Sequence, residues 1–230
     1  MVKKSSNLQG IKKNVSLAKY TTYRIGGKAR YFFMAKTKQD LIKAIEFAKE
    51  KKLPVFVLGG GSNVLFDDKG FEGLVIKFQV SSFKFQDSKI YAGAGIKLKK
   101  IVQFAQKKLL TGLEWANGIP GTFGGAIYGN AQAFLRRMSD FVESVEVLDK
   151  KTLKIKNILA KNCKFKTKNS VFKRDKNLII VSAVLRLGKG NKKEIKEKMK
   201  EFLEYRKIRH PKLLSAGSVF INKEIKIKNY

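Results

Sequence analysis

The chain has 230 residues, of which 43% are hydrophobic and 11% aromatic, a composition that predicts a globular protein with a core of its own. Its net charge is +32, but the lysines behind it are scattered through every segment, so the basic stripe of a nucleic-acid-binding surface is missing. The sequence has no run of about eighteen apolar residues and no secretory signal, and its one cysteine, Cys163, excludes a disulfide framework and a cysteine-based metal site. We expect a cytoplasmic protein. The positive charge is either a compositional bias or a field that steers anionic small molecules toward the protein.

The first 80 residues predict a compact α/β unit. Residues 37–52 begin with a capping-box pattern, Thr37 with Asp40, and continue with apolar residues at helical spacing. Apolar runs at 55–58 and 73–78 predict strands before and after a glycine-rich turn.

The residues that follow predict a second unit of mixed elements. We expect a strand at 89–95 and an amphipathic helix at 98–110. Valines that alternate with polar residues at 142–149 predict another strand, and the almost wholly apolar 178–187 predicts a central one. A surface helix is expected at 191–207, with Ile195, Met199 and Phe202 on its inward face.

Glycine is concentrated in two loops, of which the first is "LGGGSNVLF" at 58–66. The small residues of this loop are Gly59, Gly60, Gly61, Ser62 and Asn63. Successive glycines permit backbone conformations that turn consecutive N–H groups into one concavity, which suits phosphate oxygens. A tight turn without a ligand is the alternative. The spacing matches neither a P-loop nor a Rossmann fingerprint.

The second loop is "GIPGTFGGAIYGNA" at 118–131. Its sequence predicts a turn and then a helix that Thr122 caps, and the positions concerned are Pro120, Gly121, Thr122, Gly124, Gly125 and Ala126. An anion or a flat ring could rest on the bare backbone at the positive end of the helix dipole. Close packing of helix on strand is the alternative. The two loops together fit one elongated ligand with a phosphate centre, for which a dinucleotide is the simplest choice.

Four motifs occur along the chain in this order: "TTYRIGGKARYF" (21–32), "LGGGSNVLF" (58–66), "GIPGTFGGAIYGNA" (118–131) and "SAGSVF" (215–220). Together they resemble the UDP-N-acetylenolpyruvoylglucosamine reductase (MurB) family of peptidoglycan synthesis. The resemblance implies an α+β fold of the vanillyl-alcohol-oxidase (PCMH) type, with FAD-binding subdomains at 1–80 and 81–190. A linking helix and a truncated substrate-binding domain would follow at 191–230.

The resemblance also implies a two-stage reaction. NADPH reduces a non-covalently bound FAD and leaves. The enolpyruvyl ether of UDP-N-acetylglucosamine then binds in the place that the nicotinamide nucleotide occupied. The flavin passes a hydride to the vinyl carbon of this small-molecule substrate, and a protein acid protonates the adjacent carbon to give UDP-N-acetylmuramate.

The residues that match the family's functional positions fall in the same motifs. The implied cofactor-binding residues are Arg24, Gly26, Gly27, Gly59, Gly60, Gly61, Ser62, Asn63, Pro120, Gly121, Thr122, Gly124, Gly125 and Ala126. Ser218 matches the acid, and Lys168 in "TKNSVF" takes the place of a catalytic arginine. A hydroxyl is a weak acid at neutral pH, so Ser218 needs a strongly basic, enolate-like product and positive groups that hold its charge.

The chain departs from the family pattern in three places. Lys168 keeps the charge of the arginine but loses its planar fork, which predicts weakened catalysis. Ile221 replaces a lysine that meets the substrate, and the chain ends before the family's catalytic glutamate, to which Glu224 is not assigned. We therefore expect either a truncated protein or a diverged one, with normal FAD binding and poor substrate affinity.

Other hypotheses stay open on the sequence alone. The chain could be a flavin oxidoreductase of the same fold with another small substrate, or a non-catalytic basic protein that binds nucleotides or nucleic acid. Arg206 and Arg209 either meet substrate phosphate or carboxylate or are solvated charges at a helix end. His210 is far in sequence from both glycine loops, so no covalent link to flavin is expected.

Overall fold

The computed structural model describes residues 8–210 and 213–218, in which helices pack against two β-sheets. The first sheet has the order β1-β2-β4-β3, with β2 and β3 parallel to β4 and β1 antiparallel to β2. The elements of this region are β1 Lys12–Ser16, β2 Lys28–Ala35, α1 Lys38–Glu50, β3 Val55–Leu58 and β4 Phe71–Phe78.

Helix α1 begins where the sequence predicts it. Thr37 Oγ1 accepts the N–H of Asp40 at 3.0 Å, and the Asp40 carboxylate accepts the N–H of Thr37 at 2.9 Å, so the capping box is confirmed. The helix crosses over from β2 to β3 and thereby keeps these strands parallel. Strand β3 ends at Leu58, which places the first glycine loop at the carboxyl end of the sheet.

The second sheet has the order β11-β10-β12-β6-β5 and is antiparallel throughout, while β13 pairs with β7 and β8 with β9. The strands after Phe78 are β5 Phe83–Gln86, β6 Lys89–Gly93, β7 Leu110–Thr111, β8 Gln132–Ala133, β9 Arg136–Arg137, β10 Val142–Asp149, β11 Ile155–Leu159, β12 Leu178–Arg186 and β13 Gly188–Lys189. The helices are α2 Leu98–Lys107, α3 Phe123–Tyr128, α4 Val171–Arg174 and α5 Lys192–Arg209. In these ranges no helix combines the length and apolar character that crossing a bilayer requires.

The predicted elements of the second region are confirmed with shifts of a few residues at their ends. The apolar run at 178–187 is β12, which lies in the middle of its sheet as expected. The prediction of an inward face on the last helix is also confirmed, because Ile195 and Met199 are buried on α5. Strands β1, β5 and β11, whose residues are largely exposed, were not predicted from the sequence. Strand β2, of which half the residues are buried, and the two-residue strands β7, β8, β9 and β13 were also not predicted.

A large hydrophobic core joins the two sheets. It includes buried residues from α1, β4, α2, β10 and β12, among them Leu41, Ile76, Ile101, Val145 and Val181. At its edge Lys38 of α1 forms an ion pair with Glu146 of β10, with Nζ and Oε2 2.6 Å apart. The division of the chain at residues 80 and 190 stays a prediction.

Cys163 lies inside this core, and burial raises the pKa of its thiol to about 11. The neutral thiol is therefore the form present up to pH values well above neutrality, and the thiolate is the reactive form. We predict that an aromatic disulfide reagent at neutral pH leaves the native protein unmodified but labels one thiol per chain after unfolding. Release of the coloured thiolate measures both, and rapid labelling of the native protein would contradict the buried placement.

Candidate cofactor-binding site

The two glycine loops, which are far apart in sequence, lie against each other. A Cβ built on Gly60 would lie 2.5 Å from the Cα of Gly121 and 3.2 Å from the nitrogen of Thr122. A Cβ on Gly121 would lie 2.7 Å from Ser62 Oγ. Side chains at these glycines would push the loops apart, so the absence of side chains is what allows the two backbones to meet.

The other two motifs join the same place. Thr22 donates its N–H to the carbonyl of Gly61 at 3.0 Å and its hydroxyl to the carbonyl of Ser215 at 2.8 Å. Asn63 Nδ2 donates to the carbonyl of Ala216 at 2.9 Å. The four motifs of the sequence analysis therefore converge on the first glycine loop.

The first loop presents backbone donors that have no acceptor among the residues that the structure describes. Gly61 has a φ of +74°, a conformation that favours glycine. Within residues 8–210 and 213–218, the N–H groups of Gly60, Gly61 and Ser62 donate no hydrogen bond to a protein atom. A row of free N–H groups at a positive-φ turn is the arrangement that accommodates phosphate oxygens.

Thr122 lies where the sequence predicts a helix cap, but the capping hydrogen bond is absent. The residue precedes α3 with an extended backbone, yet its Oγ1 is buried without a hydrogen-bond partner in the part of the chain described. A Cβ on Gly59 would lie 2.6 Å from this oxygen, so the hydroxyl is against the first loop. A buried hydroxyl without a partner costs stability unless a ligand satisfies it.

The prediction that the N–H groups at the start of α3 are free to bind an anion is wrong. The N–H of Phe123 donates to the carbonyl of Ile96 at 2.8 Å, and that of Gly124 to the carbonyl of Ala94 at 2.9 Å. These donors are therefore not free for a ligand, and a helix of six residues adds little dipole. A Cβ on Gly124 would lie 2.5 Å from that of Ala94, so close packing is the reason for this glycine.

Its neighbours in the second loop differ from Gly124. Gly125 is exposed, and a Cβ there would meet only Thr122 Oγ1 at 3.4 Å. Ala126 is buried, and Gly121, with a φ of +110°, accepts the N–H of Leu98 at 3.1 Å. Gly125 is thus the position of this loop that is left open for a ligand, whereas Gly121 packs against the first loop.

The first motif holds a neighbouring turn in place. Gly27 donates its N–H to the carbonyl of Asp67 at 3.0 Å, and a Cβ on Gly26 would lie 2.9 Å from that of Phe66. Arg24 lies at an exposed turn with a φ of +58°. Gly26 and Gly27 therefore pack against the chain that leaves the first glycine loop, whereas the Arg24 side chain is free to reach a ligand.

The two predicted catalytic residues lie in different segments of the chain. Ser218 is exposed and follows Gly217, at which a Cβ would lie 3.2 Å from Asn63 Nδ2. Lys168 lies at the tip of a tight turn with a φ of +52°. Ile221 and Glu224 lie outside the described residues.

The turn that carries Lys168 is fixed to the end of α3. Asn130 Nδ2 donates to the carbonyl of Lys166 at 3.0 Å, and Ser170 Oγ donates to the carbonyl of Tyr128 at 2.7 Å. Although the Lys168 side chain as a whole is exposed, partial desolvation of its ammonium lowers its pKa, and the charge of Lys173 adds to this.

Arg206 has a role that the sequence analysis did not consider. Its Nε donates to the carbonyl of Asn117 at 3.0 Å and its Nη2 to that of Trp115 at 2.9 Å, while the guanidinium lies over the ring of Phe134. Burial lowers its pKa. The residue is thus not a solvated charge, because it anchors the residues just before the second glycine loop to α5.

His210 and Arg209 lie at the end of α5, as expected. His210 donates its N–H to the carbonyl of Arg206 at 2.9 Å and ends the helix. The exposed Arg209 lies over the ring of Tyr205.

The arrangement as a whole fits a dinucleotide. It offers free N–H groups for a diphosphate, an unpartnered buried hydroxyl, and backbone surfaces that a Cβ would fill. A family model described as "FAD binding domain" matches residues 29–154. The chain is therefore a protein of the FAD-binding-domain class.

Comparison with curated proteins gives the family. Proteins named UDP-N-acetylenolpyruvoylglucosamine reductase from Caldanaerobacter subterraneus and Solibacter usitatus are 39% and 36% identical, over 90% of this chain and 68% and 66% of their own lengths. The chain belongs to the UDP-N-acetylenolpyruvoylglucosamine reductase family, and it spans about two thirds of the length of these relatives.

Solved structures agree. The crystal structure of UDP-N-acetylenolpyruvylglucosamine reductase (MurB) from Thermus caldophilus has a TM-score of 0.79 and 33% identity, and the match covers 92% of this chain and 74% of that one. The BBE-like 1 protein of Physcomitrella patens, at 16% identity and a TM-score of 0.59, shares the fold alone. The predicted α+β FAD-binding fold is confirmed.

Proposed function

We propose that the chain binds FAD non-covalently where the four motifs meet. With NADPH as co-substrate, it reduces UDP-N-acetylglucosamine enolpyruvate to UDP-N-acetylmuramate in the cytoplasm, for peptidoglycan and hence cell-wall synthesis. Within the chain, residues 191–230 would form the linking helix and part of a substrate-binding domain. The observation that carries the proposal is the contact between the two glycine loops beside unused backbone donors, in a chain of this family.

The residues present supply distinct parts of a cofactor site. The free N–H groups of Gly60, Gly61 and Ser62 would hold the diphosphate, and Thr122 Oγ1 would gain the partner that it lacks. The exposed Gly125 leaves room for the cofactor on the second loop. Bound FAD would supply the chemistry of accepting a hydride from NADPH and donating it to the enolpyruvyl group.

Ser218 would supply the proton of the second stage. Its hydroxyl proton would pass to the substrate carbon beside the carboxylate, and water would restore the hydroxyl. A hydroxyl serves as an acid here only because that carbon is strongly basic once the vinyl carbon has received hydride. Lys168 would contribute positive charge toward the substrate without the two-pronged grip of an arginine.

A second candidate is reduction of a different small substrate by the same flavin site. It is favoured by Lys168 and Ile221, which replace the arginine and the lysine of the family pattern. A site with these two changes would still bind FAD, and NADPH would still reduce it. The substrate that accepts the hydride from the reduced flavin would be a different one.

One experiment tests the function in two steps. The purified protein is examined for the visible absorption of oxidised flavin, and the flavin is released by denaturation to confirm that it is not covalently bound. NADPH is then added without oxygen to bleach the flavin, followed by UDP-N-acetylglucosamine enolpyruvate. Reoxidation by this substrate supports the proposal. A protein that retains no flavin when FAD is added contradicts the proposal. Bleaching by NADPH followed by reoxidation only by another acceptor favours the second candidate.

Replacing Thr122 with valine is expected to separate apo stability from cofactor affinity. Valine has the same shape but removes the buried hydroxyl, so we expect the free energy of unfolding of the apoprotein to stay unchanged or rise by about 1 kcal/mol. The affinity for FAD should fall about tenfold, because a hydrogen bond to the cofactor is lost. Thermal unfolding with and without FAD measures both. A variant that loses apo stability but binds FAD normally would contradict the role of the hydroxyl.

A further inference from the structure

Lys77 is a half-buried lysine beneath the first glycine loop. It lies on β4 opposite Leu58, the last residue of β3, between the buried Ile76 and Phe78. Its ammonium donates a hydrogen bond to the carbonyl of Gly59. No carboxylate in the described part of the chain forms an ion pair with it, and burial lowers its pKa.

This hydrogen bond sets the orientation of the next backbone donor. The peptide bond between Gly59 and Gly60 is trans, so the carbonyl of Gly59 and the N–H of Gly60 point in opposite directions from one planar unit. When Lys77 holds the carbonyl toward the sheet, the N–H of Gly60 is directed away from it, and that N–H has no acceptor within residues 8–210 and 213–218.

The peptide between Gly59 and Gly60 needs such a holder. Neither glycine has a side chain that restricts its backbone, so the peptide unit could rotate at low cost. A fixed donor binds an anion more tightly than a mobile one, because the entropy of ordering has already been lost before binding. An ammonium without a counter-charge near the loop also attracts a diphosphate.

We propose that Lys77 is a positioning residue of the cofactor site, which holds the Gly59–Gly60 peptide so that its N–H faces the diphosphate and adds an uncompensated positive charge beneath it. The inference rests on the proposed function, since it requires that FAD binds at this loop. Lys77 itself touches the backbone and acts through it.

The test compares FAD affinity among matched variants by quenching of flavin fluorescence at low and high salt. Lys77→Met removes the donor and the charge, Lys77→Gln removes the charge but keeps a donor, and Lys77→Arg keeps both. Lys13→Met is the control, because Lys13 is an exposed residue of the same sheet and its loss changes the net charge equally.

We expect Lys13→Met to bind FAD within about twofold of the unmodified chain. Lys77→Met should bind about tenfold or more weakly and lose part of the salt dependence, and Lys77→Arg should recover most of the affinity. At high salt, Lys77→Gln should bind FAD as tightly as the unmodified chain does. At low salt, it should lack the additional affinity that the charge of Lys77 gives the unmodified chain. A melting temperature for each apoprotein separates these effects from unfolding.

The outcomes distinguish this inference from the proposed function. If the unmodified chain does not bind FAD, the proposed function fails. If the unmodified chain binds FAD and Lys77→Met matches Lys13→Met at both salt concentrations, the inference alone is overturned. The inference is also overturned if Lys77→Met and Lys77→Arg bind FAD equally weakly at both salt concentrations, since Lys77 would then only support the fold. Should Lys77→Met not fold, Lys77→Gln and Lys77→Arg decide in the same way.

Discussion

Replacing Gly60 with alanine is expected to remove tight FAD binding while the two sheets stay folded. The added Cβ would lie 2.5 Å from the Cα of Gly121, a backbone atom that cannot rotate away. The loops would have to separate, at a cost of about 1–3 kcal/mol for an overpacked contact. Because both loops contribute to the proposed site, we expect the affinity for FAD to fall by about fivefold to about 150-fold.

Gly188→Ala is the matched control for this change. Gly188 is an exposed residue of β13, and a Cβ there would meet only Thr111 Cγ2 at an ordinary distance of 3.4 Å. Isothermal titration of each apoprotein with FAD gives the two affinities, and circular dichroism verifies the fold. Equal FAD affinity in Gly60→Ala and Gly188→Ala would show that the contact between the loops is not part of the cofactor site.

Replacing Ser218 with alanine is expected to separate the two stages of the reaction. In the proposed reaction the hydroxyl has no part in the transfer of hydride from NADPH, so bleaching of the flavin should keep its rate. Reoxidation by UDP-N-acetylglucosamine enolpyruvate should slow by about 10²- to 10⁴-fold, the usual effect of removing a general acid. Stopped-flow absorbance of the flavin follows each stage by itself.

Ser215→Ala is the control for Ser218→Ala, because it removes a hydroxyl from the same segment. Ser215 Oγ accepts the N–H of Gly217 at 2.9 Å, so it supports the turn before Ser218 without a proposed part in proton transfer. We expect a modest loss of rate in this variant. A reoxidation rate in Ser218→Ala equal to that in Ser215→Ala would exclude the serine as the acid.

Much of the fold can be predicted because its elements carry their own signals. The capping box of Thr37 and Asp40 fixes the start of α1, and the apolar run of β12 marks a strand covered on both sides. Strands β1, β5 and β11 lack such a signal, because most of their residues are exposed and their pairing depends on the neighbouring strand.

The site was predictable in its parts but not in their connections. The motifs indicated that the glycine loops act together, and the structure brings them into contact. The sequence could not show that the carbonyls of Ala94 and Ile96 occupy the first donors of α3, since that contact joins distant segments. The sequence also could not show the contacts of Arg206, because a basic residue near the end of a helix is usually solvated. Lys77 did leave a signal, as the one charged residue in an otherwise apolar strand segment at 73–78.

The central claim is that the segments around residues 21–27, 59–63, 118–126 and 215–218 form one FAD site. Hydrogen exchange of the backbone amides, measured by mass spectrometry on the apoprotein with and without saturating FAD, tests it most directly. We predict that FAD slows exchange in all four segments together, most strongly at Gly60, Gly61 and Ser62, whose N–H groups have no protein acceptor in the described residues. Saturable FAD binding that leaves exchange at these three amides unchanged would contradict the account.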